Sequence, residues 1–218
     1  RSIGDKRIVI IDGKKRLGLT QRLNQIFTRN TSDILVKLDA DIMLRNSNVI
    51  EQLVKPLLHN TKVGLVSGKL LPYRPTTYIE KVINIGRDTW DNIKRDLKKG
   101  NSVYTCTGGV FAMSRIFVNQ IRFPSDMWAD VGYLYFSCIT KKYQFVSVKN
   151  AVVLFQPPRT LVDYINQSNR YSRENDLLRR YFPEQLIDIQ YNVPKSLILK
   201  YKLESLLKHP ILAISLFF

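Results

Sequence analysis

Residues that hold soft metals are scarce in this chain. Its 218 residues include two cysteines, Cys106 and Cys138, and two histidines, His59 and His209. No CxxC or HExxH spacing occurs, so the pattern of a Cys/His zinc site is missing and any metal must sit on oxygen ligands. The two cysteines read as reduced core residues. Acids are also few: 18 Asp and Glu stand against 34 Lys and Arg, a formal net charge of +16. No apolar run reaches the roughly 20 residues of a membrane-spanning helix. HPILAISLFF comes nearest and stops at the last residue. There is no internal repeat, low-complexity segment or signal-peptide pattern. The chain opens on Arg1 rather than Met, which points to a fragment of a longer protein.

What is present suits one globular domain. Hydrophobic residues make up 44%, enough for a sizeable core. The basic surface attracts polyanions: nucleic acid, anionic lipid headgroups or phosphorylated substrates. A Lys-rich protein with no specific anionic partner is the plain alternative. No RNP, zinc-finger or helix-turn-helix signature occurs, and the aromatics fall at core spacing, so nucleic acid is not an expected partner.

Periodicity sketches the elements. RIVIID (7–12), DILVKLD (33–39) and KVGLVSG (62–68) read as buried strands. LTQRLNQIF (19–27) and VIEQLVKPLL (49–58) carry helix spacing. Strand, helix, strand, helix, strand with short joints predicts an α/β layered fold with parallel strands. Further on, 77–99 reads as a helix with Gly86 as a weak point. A loop at 123–130 leads into a helix near Val131. QFVSVK and AVVLFQ read as two short strands, stopped by Pro157 and Pro158. A long basic helix is expected from Thr160 to about Tyr181, then amphipathic segments.

One stretch carries chemistry. In ILVKLDADIML (34–44) two acids, Asp39 and Asp41, follow a buried strand. Ligands of α/β sheets bind beyond the carboxyl ends of strands. Residues i and i+2 of an extended segment point the same way, so both carboxylates can face one ligand. Paired acids repel unless a cation is near, and a hard dication, Mg²⁺ or Mn²⁺, is the natural occupant, itself able to hold a diphosphate. An Asp turn that caps the next segment needs the same residues.

Two families place DxD after a buried strand. DADIML fits the nucleophile motif of the haloacid-dehalogenase-like phosphatases, and Ser67 after KVGLV fits their second motif. The later acidic pair of that family is missing, and Asp130 stands alone in MWADVG. More of the chain resembles the family 2 glycosyltransferases. RLGLTQRLNQIFTRNTSDILVKLDADI (16–42) is similar to that family's run into its metal-binding DxD. TGGVFAMSR (107–115) resembles its acceptor-side glycine segment, and MWADVGYLYFSCITKKYQFVSV (127–148) its (E/D)D motif, helix and strand. QSNRY (167–171) resembles the QxxRW motif of the membrane-bound synthases. The four segments stand in the family's order.

The resemblance implies a GT-A-like (Rossmann-like), mostly parallel sheet flanked by helices, followed by C-terminal amphipathic or interfacial helices. Residues 1–158 would form a partial GT-A catalytic domain, and 159–218 a QxxRY helix with a basic, membrane-proximal segment. It implies an inverting transfer of a sugar from a nucleotide-sugar donor to a glycan or lipid-linked acceptor. Asp41 and Asp39 would hold Mg²⁺ or Mn²⁺, with Asp39 also touching the donor. Asp130 would be the general base, although a helix N-cap is the ordinary use of such an Asp; the family's preceding acid is Ala129 here. Gln167 and Arg170 would bind the donor, Arg170 through its fork of donors. Lys15 and Arg16 could reach its phosphates. Tyr171, in place of Trp, would face the acceptor with Trp128, Gly108 and Gly109. A solvated basic helix and a plain tight turn are the structural alternatives for the last two groups. The family's two earlier strands, with an acid for the nucleotide base, are not found before RIVIID. On that reading this chain has half a nucleotide pocket, an exposed sheet edge and poor turnover alone. The protein would be membrane-associated with a cytoplasmic catalytic domain. The remaining alternative is a noncatalytic basic protein that binds nucleic acid or an anionic membrane.

Overall fold

The computed structural model of the chain describes residues 5, 7–10 and 15–217, with the backbone alone at 161, 168, 170–172 and 217. The elements follow the apolar periodicity. Helix α1 (Leu19–Arg29) buries Thr20, Leu23 and Phe27, and α2 (Val49–His59) buries Val49, Leu53 and Leu57. These are the i, i+3, i+7 positions of α1 and the i, i+4, i+8 positions of α2, each set on one helical face. Between and after them run β1 (Ile34–Leu38), β2 (Ile42–Leu44) and β3 (Val63–Pro72). Helix α3 (Tyr78–Asp96) opens on a capping box. The Thr77 side chain accepts from the Glu80 N–H at 3.2 Å, and the Glu80 carboxylate accepts from the N–H of Thr77 at 3.1 Å and of Thr76 at 2.6 Å. Then come β4 (Val110–Ser114), α4 (Arg115–Asn119), α5 (Asp130–Thr140) and β5 (Gln144–Phe155). The chain finishes with α6 (Leu161–Ser172), α7 (Glu174–Leu178), α8 (Glu184–Tyr191), α9 (Lys195–Lys208) and α10 (Pro210–Phe217).

The sheet order is β1-β4-β3-β5-β2. It is mixed rather than mostly parallel: β3 and β5 pair in parallel, whereas β1–β4, β3–β4 and β2–β5 are antiparallel. The α/β expectation holds for β1 and β3, which run the same way with α2 crossing between them. That crossover leaves one position free, and β4 fills it in the opposite sense, so the parallel pair never touches. The two short strands expected at 144–156 are one strand, β5, with an irregular register opposite Ser67 and Lys69. The long basic helix is divided into α6 and α7 at Arg173.

Residues 7–10 of RIVIID are not strand, and Ile8, Val9 and Ile10 are 50%, 76% and 82% exposed. Residues 11 and 12 lie outside the described residues. An apolar run becomes a strand only where a ladder accepts its backbone groups. Among the described residues β1 is paired on one side alone, with β4.

Apolar packing covers both sheet faces. On one, Val49, Leu53 and Leu57 of α2 meet Val63, Val66, Val110, Ala112 and Val153. On the other, Leu65, Phe111 and Met113 meet α1, α4, α5, α7 and α8. The alternation of Val110, Phe111, Ala112 and Met113 between these cores is the period of two that a strand imposes. Gly86 is no weak point: a Cβ there would lie 2.9 Å from Leu216 Cδ2, so its absence seats α10 against α3. No helix among the described residues is long and apolar enough to cross a membrane.

Candidate active site

The end of β1 is the natural starting place. Its period of two puts Leu35, Lys37 and Asp39 on one face, the face of Phe111 and Met113. Beside it, the Thr107–Gly109 turn leads into β4. The Asp39 N–H donates to the Gly109 carbonyl at 3.0 Å, which closes the end of the strand pair. Both glycines allow close approach. A Cβ at Gly108 would lie 3.0 Å from Val131 Cγ2, and one at Gly109 would lie 2.7 Å from Leu70 Cδ2. The turn therefore bridges the end of β1 and the start of α5.

Helix α5 is aimed by the loop before it. Thr20 Oγ1 of α1 donates to the Met127 carbonyl at 2.6 Å. Asn24 holds Phe123 from both sides, donating to its carbonyl at 2.9 Å and accepting from its N–H at 2.8 Å. Asp130 is the first residue of α5, and Ala129 stands at the N-cap without a side-chain cap. Burial pushes the Asp130 carboxyl above the ordinary aspartate range. The Lys37 charge and the N–H groups of Val131 and Asp130 pull it back, and Asp39 pushes it up again. Asp130, Lys37 and Asp39 thus act on one another across the same face.

Lys37 is the residue that sequence reasoning missed. Its side chain is 10% exposed, and its ammonium bonds both Asp39 Oδ1 and the Gly108 carbonyl. It also lies 5.4 Å from the Phe111 ring centroid. The available signal was a lysine inside the apolar run ILVKL, two residues before Asp39.

The other expected residues are distributed as follows. Asp41 lies in the turn after β1, exposed, with no ion pair or side-chain hydrogen bond among the described residues. Trp128 is exposed just ahead of α5. Lys15 and Arg16 are exposed, and the Lys15 carbonyl accepts from Arg22 Nη2 at 2.9 Å. Gln167 is exposed on α6. No hydrogen bond or ion pair joins Lys15 or Gln167 to Asp39, Asp41 or Asp130 among the described residues. The side chains of Arg170 and Tyr171 lie outside the described residues. Helix α7, which follows α6, does reach α5: a Cβ at Gly132 would overlap Glu174 Oε1. Ser67, which had fitted the phosphatase motif, is buried and accepts from the Thr107 N–H at 2.8 Å, so it serves the turn.

Among the described residues no group of three or more His, Cys, Asp or Glu converges on one point. Asp39 and Asp41 offer two carboxylates. That number suits a hard dication that completes its shell with phosphate oxygens and water, as Mg²⁺ does. Two shallow clefts, of about 490 Å³ and 310 Å³, lie beside Lys69 and Leu71 and include none of the three aspartates.

Comparison with known proteins agrees with the fold. The chain resembles the mannosyltransferase PcManGT from Pyrobaculum calidifontis, solved in complex with GDP-Man and Mn²⁺. The TM-score is 0.58 and the identity 16%, over 95% of this chain and 56% of that one. It also resembles glucosyl-3-phosphoglycerate synthase from Mycobacterium tuberculosis, solved with Mn²⁺, UDP and phosphoglyceric acid. There the TM-score is 0.50 and the identity 19%, over 76% of this chain and 54% of that one. The chain spans about half the length of these structures. A search of curated proteins gives no significant match. The family model described as glycosyl transferase family 2 matches residues 1–122, which include β1, both acids and the Gly108–Gly109 turn, and the chain belongs to that family.

Proposed function

We propose that this chain carries the catalytic centre of an inverting glycosyltransferase that moves a sugar from a nucleotide-sugar donor to a hydroxyl acceptor. The observation that carries the reading is the convergence of Asp39, Asp130 and the Gly108–Gly109 turn at one sheet end, within a family 2 chain. Asp41, with Asp39 beside it, would hold Mg²⁺ or Mn²⁺, which when bound neutralises charge on the leaving diphosphate. Asp130 takes the proton from the acceptor hydroxyl. That oxygen bonds to the anomeric carbon from the face opposite the diphosphate, whose bond breaks with its electron pair, so the configuration inverts. Its raised affinity for a proton makes Asp130 a better base than an ordinary aspartate. Gly108 and Gly109, whose Cβ directions are filled by Val131 and Leu70, hold the turn in place, and Trp128 and Tyr171 would serve the acceptor. Gln167, Arg170 and Lys15 serve the donor.

The acceptor on this reading is a glycan or a lipid-linked group at a membrane surface, with the catalytic centre cytoplasmic. Leu203, Leu207 and Ile211 support that surface role, because they stand exposed along α9 and α10 with Lys195, Lys202 and Lys208 close in sequence. The phosphatase alternative falls with the family match and with the occupied Ser67.

Calorimetric titration of UDP and GDP, with and without Mn²⁺, tests the reading on the chain and on Asp41→Ala. Metal-dependent binding that disappears in the variant is expected. Binding indifferent to both metal and substitution refutes it.

A further inference from the structure

Lysine is costly to bury, and it persists where every charge-bearing contact is answered. In β1 the burial of Lys37 is answered by Asp39 Oδ1, the Gly108 carbonyl and the face of Phe111. All three belong to the site already described. The side chain spans from the first acid of the DxD to the turn that touches α5. Asp41, two residues further on, is left without such a partner among the described residues. The two acids of the pair are therefore chemically unequal before any ligand arrives.

We propose that Lys37 is a positioning residue of the donor site, a built-in cation that fixes the Asp39 carboxylate to the Gly108–Gly109 turn and leaves Asp41 as the carboxylate open to a dication. The proposal rests on the donor-site reading above. Its consequence follows from charge. Asp39, Asp41 and Lys37 together carry a net charge of −1 where a bare pair would carry −2. The site holds a dication more weakly than two free aspartates would, and keeps a fixed positive charge beside the incoming diphosphate when no metal is bound. Lys37 does not touch the reacting atoms. It acts through Asp39 and through the turn.

The experiment uses the full chain and four variants: Lys37→Met, close in length without charge, Lys37→Gln, Asp39→Asn and Asp41→Asn. Free Mn²⁺ is followed by electron paramagnetic resonance, and UDP binding without metal by calorimetry. Removing one positive charge near a partly exposed dication tightens Mn²⁺ binding about tenfold or more in Lys37→Met. It weakens metal-free UDP binding. Asp39→Asn costs much less Mn²⁺ affinity than Asp41→Asn. Amide exchange at Asp39, whose N–H is bonded to Gly109, quickens about fivefold to tenfold in Lys37→Met. If Lys37→Met does not fold, Lys37→Gln carries the same expectations. Unchanged Mn²⁺ affinity together with unchanged exchange at Asp39 overturns the proposal, as does an equal loss from the two Asp→Asn variants. A chain that binds no Mn²⁺ in any form refutes the metal reading instead. Exchange at Asp39 then decides the positioning claim alone: quickening upholds it, and no change overturns it.

Discussion

Replacing Asp130 by Asn should separate stability from activity. The buried carboxylate holds its proton more tightly in the folded chain than in the unfolded one, because burial outweighs the opposing pull of Lys37 and the Val131 N–H. The folded state therefore binds more protons across the window between the ordinary aspartate value and the raised one. Stability contributed by this group is fully present below that window and is lost as pH rises through it. Asn has the shape of Asp and an oxygen for the Val131 N–H, but no proton to lose. The charge it removes from the first turn of α5 is worth about 0.3–1 kcal/mol to the helix dipole, which offsets part of the gain. The measurement is the urea midpoint of both proteins from pH 4 to pH 7. The stability of wild type minus that of Asp130→Asn should fall as pH rises, since the acids that do not interact with Asp130 cancel in the difference. Turnover of the complete enzyme should drop by about 10²–10⁴, the usual contribution of a general base. A difference that is flat or rises with pH would refute the account of Asp130's surroundings. Turnover within a few-fold of wild type would refute its role.

Other consequences are open to measurement. Gly109→Ala forces a Cβ to within 2.7 Å of Leu70 Cδ2, an overpacking that the Leu70 side chain relieves in part and that should cost about 1 kcal/mol in urea unfolding. Thr77→Ala removes the N-cap of α3 and should cost about 1 kcal/mol. Glu80, held below its ordinary range first by the Thr76 N–H, should support the fold at neutral pH and lose that effect as pH falls through its folded value, so Glu80→Gln should flatten the acid limb of the unfolding profile. Cys106 and Cys138 are buried free thiols, Cys138 pushed up to about 12 by burial. Both should resist iodoacetamide at pH 8 in the folded chain and react once it is unfolded in urea.

The local elements were legible because their causes are local. The helical faces of α1 and α2 follow from apolar residues three and four apart, and the place of β1 and the start of β3 from their apolar runs; β3 continues past the expected Gly68 to Pro72, where β5 pairs with it. The carboxylates at the end of β1 were legible for the same reason, as was Asp130 at the start of α5. Which strands pair, and in which sense, depends on groups far apart in the chain. Nothing in VFAMS announces that β4 lies between β1 and β3 and runs against both. Nothing in RIVIID discloses that residues 7–10 lie outside the sheet, because a strand needs a partner edge as well as an apolar run. Local pattern sets the periodic helices and the position of the acids at a strand end. Tertiary structure alone decided the mixed sheet and gathered Asp39, Asp130 and the Gly108–Gly109 turn around Lys37. The meaning of that lysine lies with Gly108 and Phe111, more than 70 residues further along the chain. Pairwise contact across that distance is a property of the packed sheet, and no local pattern encodes it.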